Sequence, residues 1–129
     1  MNQHVQFLRH RAVDTLLERQ ALVEEALAEG YGTHDFCDIV AGVLDQTYQF
    51  WPTAHSIMIT TVIVYPRKTV VQVFLAAGDL NEIKGLFDTI VAWGASLGVN
   101  TFLLTGRLGW VKALKEYGAR VQATMILEV

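Results

Sequence analysis

The apolar positions of this chain change period along its length, and the changes mark out its elements. Over residues 12–29, Val13, Leu16, Leu17, Val23 and Leu27 recur at helical spacing, with Glu18, Arg19, Glu24 and Glu25 largely on the other side. This predicts one amphipathic helix, ended by Gly30. Thr33 or Asp35 can cap a second helix, in which Phe36, Ile39, Val40, Val43 and Leu44 repeat every three to four residues up to about Gln46. The period then drops to two. Tyr48–Trp51 reads as a short strand stopped by Pro52, and residues 56–76 read as an antiparallel hairpin turning at Pro66-Arg67-Lys68. Both hairpin strands are apolar on both faces, so the sheet is expected to carry helices on both sides.

From Thr69 onward the order is strand, helix, strand, helix, strand, with Gly78, Gly98, Gly106 and Gly118 at the junctions. A strand, a crossover and a second strand form a right-handed parallel unit almost without exception, so the predicted class is an α/β fold with a mixed sheet. Asp79 is the expected N-cap of the long helix, with Glu82 reaching back to the Asp79 amide. Leu80, Ile83, Phe87, Ile90, Gly94 and Leu97 form one helical stripe along it, stopped by Gly98. Thr101–Thr105 is a short strand, Val111, Leu114 and Tyr117 face the sheet from the next helix, and Arg120–Val129 is expected to be a last strand.

Length changes the picture little: 129 residues make one domain, 1–129, with no linker-like stretch. Charge excludes more. A net charge of −3, with basic clusters no larger than Arg9/Arg11 and Arg67/Lys68, gives no stripe that could neutralise phosphates, so no nucleic-acid partner is expected. The single Cys37 rules out an internal disulfide, and a reducing cytoplasm fits. Cys37 is expected to be a small buried side chain. The N-terminal MNQHVQFLRHR lacks the pattern of a signal peptide, and apolar strings such as SIMITTVIV fall short of the roughly 18 residues a membrane span needs. A soluble protein without a membrane partner is the expectation.

Few letters carry chemistry. Gly94-Ala95-Ser96-Leu97-Gly98 matches the G-x-S-x-G nucleophile pattern, but it falls in the last turn of a helix rather than on a strand-to-helix elbow. His4, His10, His34 and His55 lack metal-ligand spacing, so no metal is expected. Trp51, Trp93 and Trp110 read as core or interface anchors. Ligands of open α/β sheets gather where strand ends meet helix starts, which here are Ala77-Gly78-Asp79-Leu80 and Gly106-Arg107-Leu108-Gly109. The second could hold an anion against Arg107. At the first, Asp79 already occupies the cap and would repel a phosphate.

This order of elements resembles the GNAT superfamily, the GCN5-related N-acetyltransferases. From Trp51 onward the chain is also similar to a group of short GNAT-like proteins encoded by tailed phages and prophages. The residues that carry the likeness are Trp51-Pro52, Leu75–Leu80, Trp93 with Gly98, and Gly106–Trp110. The resemblance implies an acetyl-CoA cleft between the strands matching Thr69–Ala76 and Thr101–Thr105, with Ala77, Gly78, Leu80, Gly106, Arg107 and Gly109 as cofactor-binding candidates. Two departures stand out. The family's basic, glycine-rich pyrophosphate loop is replaced by Ala77-Gly78-Asp79-Leu80-Asn81-Glu82, and Leu114 stands four residues before Gly118, where many members have the tyrosine that protonates the leaving thiolate.

Two functional readings stay open at this point. One is a non-catalytic structural or interaction module, in a phage particle, its assembly or interference with a host protein, located in the host cytoplasm or on the virion. It would take a protein partner and could oligomerise. The other is an active acyl-CoA-dependent N-acyltransferase with an atypical loop, for which Glu82 and Tyr65 are the candidate catalytic residues.

Overall fold

The computed structural model describes residues 3–106 and 109–129. Three helices precede the sheet: α1 Gln3–Glu18, α2 Gln20–Ala28 and α3 Phe36–Leu44. The single helix expected over 12–29 is therefore two, broken at Arg19, whose N–H donates to the Leu16 carbonyl at 3.0 Å, a three-residue link that tightens the chain. Leu16 and Val23 are fully buried across the break, while Leu17 turns outward. Gly32, at φ +78°, is the left-handed residue of the following turn; Gly30 has an ordinary φ. Asp35 caps α3: its side chain accepts from the Asp38 amide while Asp38 accepts from the Asp35 amide. Cys37 is exposed, a correction to the burial expected from its neighbours.

The sheet has four strands in the order β1 Tyr48–Pro52, β2 Ile57–Val64, β3 Thr69–Ala77 and β4 Phe102–Leu104. The first three pair antiparallel, as the hairpin reading requires, and β4 lies parallel to β3 after α4 Leu80–Ser96. Helices cover both faces. Ile57, Ile59, Leu75 and Ala77 bury against Leu16, Val23 and Ile39 of the first three helices. Met58, Val71 and Val73 bury against Ile83 and Ile90 of α4, with Trp51, Trp93 and Trp110 packed around them. One polar chain crosses this interior: the Trp51 indole donates to Thr60 Oγ1 at 2.9 Å, and Thr60, fully buried, donates to Gln49 Oε1 at 2.9 Å, so the buried hydroxyl both accepts and donates.

One residue of β3 has no counterpart on β2. Ile59 faces Leu75 and Thr60 faces Val73, so Phe74 is a bulge. Its consequence is visible in the packing, because Val71 and Val73 face α4 while Leu75 and Ala77 face the first three helices. β4 pairs with β3 only over Val71–Val73, and the last link is the Thr105 N–H donating to the Val73 carbonyl at 3.2 Å. A bulge bends its strand and increases its twist, and this one falls immediately after the last residue of β3 that pairs with β4.

After β4 come α5 Gly109–Leu114 and a 3-10 turn, Lys115–Tyr117. The strand expected at Arg120–Val129 does not form: residues 119–129 are exposed throughout and enter no ladder. β4 offers them an edge of three residues, too little to order an eleven-residue segment. Among the described residues no helix is long and apolar enough to cross a membrane.

Candidate functional site

A pocket of about 130 Å3 lies at the carboxyl end of β3, beyond the last β3–β4 pair. Ala76 and Ala77 of β3, Gly78, and Leu80 and Ile83 of α4 form one wall; Trp110 of α5 and Glu25 of α2 complete it. Three candidates from the sequence, Ala77, Gly78 and Leu80, thus share one cavity. A Cβ on Gly106 would stand 3.6 Å from the Trp110 ring, an ordinary contact, and Gly109 opens α5. Arg107 lies outside the described residues.

The start of α4 is closed by the chain itself. Asp79 is the N-cap, its side chain accepting from the Glu82 amide at 3.0 Å. The reciprocal half of the expected capping box is absent. The Asp79 amide instead donates to Ser56 Oγ at 2.8 Å, and Glu82 Oε1 accepts from Thr53 Oγ1 at 2.7 Å and from the His55 amide at 2.8 Å. These bonds tie α4 to the β1–β2 turn, with Ser56 fully buried beneath them. Gly78 is part of the same closure. At φ +121° its missing Cβ would stand 2.5 Å from the His55 carbonyl, Ser56 Cα and Ser56 Oγ. This glycine admits a close approach of the chain to itself.

Neither catalytic candidate stands free at the pocket. The Glu82 carboxyl is held below the usual carboxylate range, first by the Thr53 hydroxyl and then by the His55 amide, which favours a hydrogen-bonded anion over a base. Tyr65 sits in the β2–β3 turn, beside the Val64–Thr69 pair, whereas the pocket adjoins the Ile57–Ala77 pair at the other end, roughly 25 Å away at the usual strand rise. Leu114 is buried, and Tyr117 packs edge-on against Phe87 with centroids 4.8 Å apart, beside the Lys84–Glu116 ion pair. No described tyrosine lines the pocket.

The sequence reading missed Glu25, Ser56 and Thr53. Nothing in the pattern marked Glu25. A serine followed at once by a β-branched strand was the available sign of Ser56, a polar group needing a buried partner.

One expectation follows from Glu82. Its folded-state pKa is depressed, so its contribution is present above the unfolded carboxylate pKa and lost as pH falls through the folded value. Glu82→Gln should therefore lower the urea midpoint near pH 7 and converge on the parent as pH falls through the depressed folded-state pKa. Equal deficits on both sides of that pKa would show that the charge contributes nothing.

No protein-family profile matches the sequence, and no curated protein is close enough to count as a relative. Solved structures do match. TTHA1254 from Thermus thermophilus, in its wild-type form, superposes with a TM-score of 0.55 at 13% identity, over 87% of this chain and 89% of that one. A tetramutant of the BH1408 protein from Bacillus halodurans gives 0.59 at 16% identity, over 91% and 96%. At such identities the likeness defines the class: a mixed α/β domain with a four-stranded sheet between helical layers. It carries the fold and nothing about activity.

Proposed function

We propose that this chain is a GNAT-like domain, of the kind carried by tailed phages and prophages, whose acyl-CoA site has degenerated and which works through protein contacts instead of catalysis. The observation that carries the reading is the start of α4, where a pyrophosphate would need free amides. The Asp79 and Glu82 amides there are taken by Ser56 and by the Asp79 carboxylate, a fixed negative charge. The pocket beside it, about 130 Å3, is below the roughly 300 Å3 at which small-molecule sites begin. A phage or host protein is the partner this reading expects, met in the cytoplasm or on the particle.

Thermal unfolding with acetyl-CoA tests it. A ligand at 100 times its dissociation constant adds about 2.7 kcal/mol, a rise on the order of 10 °C for a chain of this size. No rise at millimolar acetyl-CoA is the expected result, and a rise would overturn the reading.

One observation favours the second reading, an acyl-CoA-dependent N-acyltransferase. Beyond Val73 β3 has no pair on β4, and Ala76, Ala77 and Gly78 line a cavity at its carboxyl end. Amides of Gly78 and Leu80, or of Gly106–Gly109, would then receive the pyrophosphate, and an aligned amine could react by proximity without a dedicated acid.

A further inference from the structure

Residues 119–129 carry the pattern of an amphipathic strand but join no ladder among the described residues. Val121, Ala123, Met125, Leu127 and Val129 alternate with Arg120, Gln122, Thr124, Ile126 and Glu128, so an extended backbone puts five apolar side chains on one face. That face is in solvent: Met125 is 94% exposed and Leu127 86%. The segment enters no ladder, and β4 offers only three residues of edge. Strand-forming residues with open main-chain groups are a template for another chain.

The charges identify that chain. The segment carries one cation and one anion, Arg120 and Glu128, placed symmetrically about Thr124. Two copies laid antiparallel about Thr124 set Arg120 opposite Glu128 at both ends, Thr124 opposite Thr124, Val121 opposite Leu127 and Ala123 opposite Met125. Every apolar residue of that face then has an apolar neighbour across the ribbon. A parallel, in-register pair would set Arg120 on Arg120 and Glu128 on Glu128. Shifting the antiparallel pair by one residue opposes the polar face to the apolar one, and shifting it by two breaks both charge pairs.

We propose that a second copy of this chain covers residues 119–129, in a two-fold dimer whose strands run antiparallel about Thr124. Donor and acceptor are the same surface, so the assembly closes at two. A two-stranded ribbon is marginal alone, so a stable dimer requires its apolar face to pack against the body of one copy or the other. The dimer is independent of the functional proposal, since it requires neither the presence nor the absence of acyl-CoA binding.

Light scattering after gel filtration at tens of micromolar, the range of ordinary specific association, is the first test. The full chain should show twice its 14.4 kDa, and a chain stopped after Gly118 should be a monomer with unchanged far-ultraviolet dichroism. A monomeric full chain overturns the proposal, and so does a dimer that survives the truncation. Register is tested by charge. Arg120→Glu and Glu128→Arg should each weaken the dimer about tenfold, and the two together should restore it. Failure of the double variant to recover would overturn the antiparallel register. In a Cys37→Ser background, Thr124→Cys should form an intermolecular disulfide on oxidation and Val121→Cys should not; the reverse preference would equally overturn it.

Discussion

Gly78→Ala is expected to lower stability by about 3 kcal/mol, and Gly98→Ala by only about 1 kcal/mol. Both glycines have positive φ, +121° and +77°, so each alanine meets backbone strain. Only at Gly78 does the new methyl also collide. Its position lies 2.5 Å from the backbone of Ser56 and His55, whereas nothing stands within 4 Å at Gly98. Backbone cannot swing aside as the end of a flexible side chain can, so relief would require moving the β1–β2 turn. That turn is held to α4 through Thr53, His55 and Ser56, and displacing it would disturb three hydrogen bonds together. Urea unfolding of the two variants compares a site where the methyl collides with one where it meets open space, each with its own positive-φ strain. Equal losses would mean that the turn yields freely to the methyl. A glycine at this point in an α/β domain invites a phosphate-loop reading, yet the space a ligand would claim is filled by the protein's own chain.

Where the sequence was informative, neighbouring residues acted on one another. The Asp35 and Asp79 caps, the hairpin about Pro66-Arg67-Lys68 and the order β3–α4–β4 all rest on local signals, and each is in the structure. Cys37 shows how little separates burial from exposure on a helix. Phe36 and Ile39 lie close to one face, but Cys37 is turned about 100 degrees from Phe36, enough to reach solvent. Glu82 had a short-range partner available in the Asp79 amide and took two partners 27 and 29 residues away instead. Sequence spacing has no term for that choice. The pocket was legible as a place through Ala77-Gly78, which line it, but the bulge beside it was not. Val70–Ala77 is apolar on both faces, so a bulge that exchanges the faces leaves the hydrophobic pattern unchanged. The last segment shows the converse: the alternation of Arg120–Val129 is legible as a strand, while a strand's pattern does not say which edge completes it.

Removing Phe74 should close the gap between β3 and β4, and replacing it should not. Its ring stacks on Tyr48, with centroids 5.4 Å apart and planes 25° apart, and meets His34 edge-on at 4.8 Å. Phe74→Ala forfeits those contacts, and because the ring is only half-buried the cost should be about 2 kcal/mol, below the usual range for a core phenylalanine. The bulge stays, since alanine still occupies the extra position. Deleting residue 74 makes the Thr60–Val73 and Ile59–Leu75 pairs consecutive in a regular ladder, and Val73 and Leu75 keep the faces they already occupy. With its local bend gone, β3 can run beside β4 past the Val73–Leu104 pair, where the ladder now ends. Amide exchange reads the difference. Relative to Phe74→Ala, the deletion should slow exchange at Ala76, whose amide then points toward β4, by at least tenfold, the effect expected when a main-chain bond worth about 1.4 kcal/mol forms there. Identical exchange in the two variants would show that the strands part for a reason other than the bulge, such as Trp110 holding α5 away. Slowed exchange in the deletion alone would tie the pocket to one extra residue in one strand.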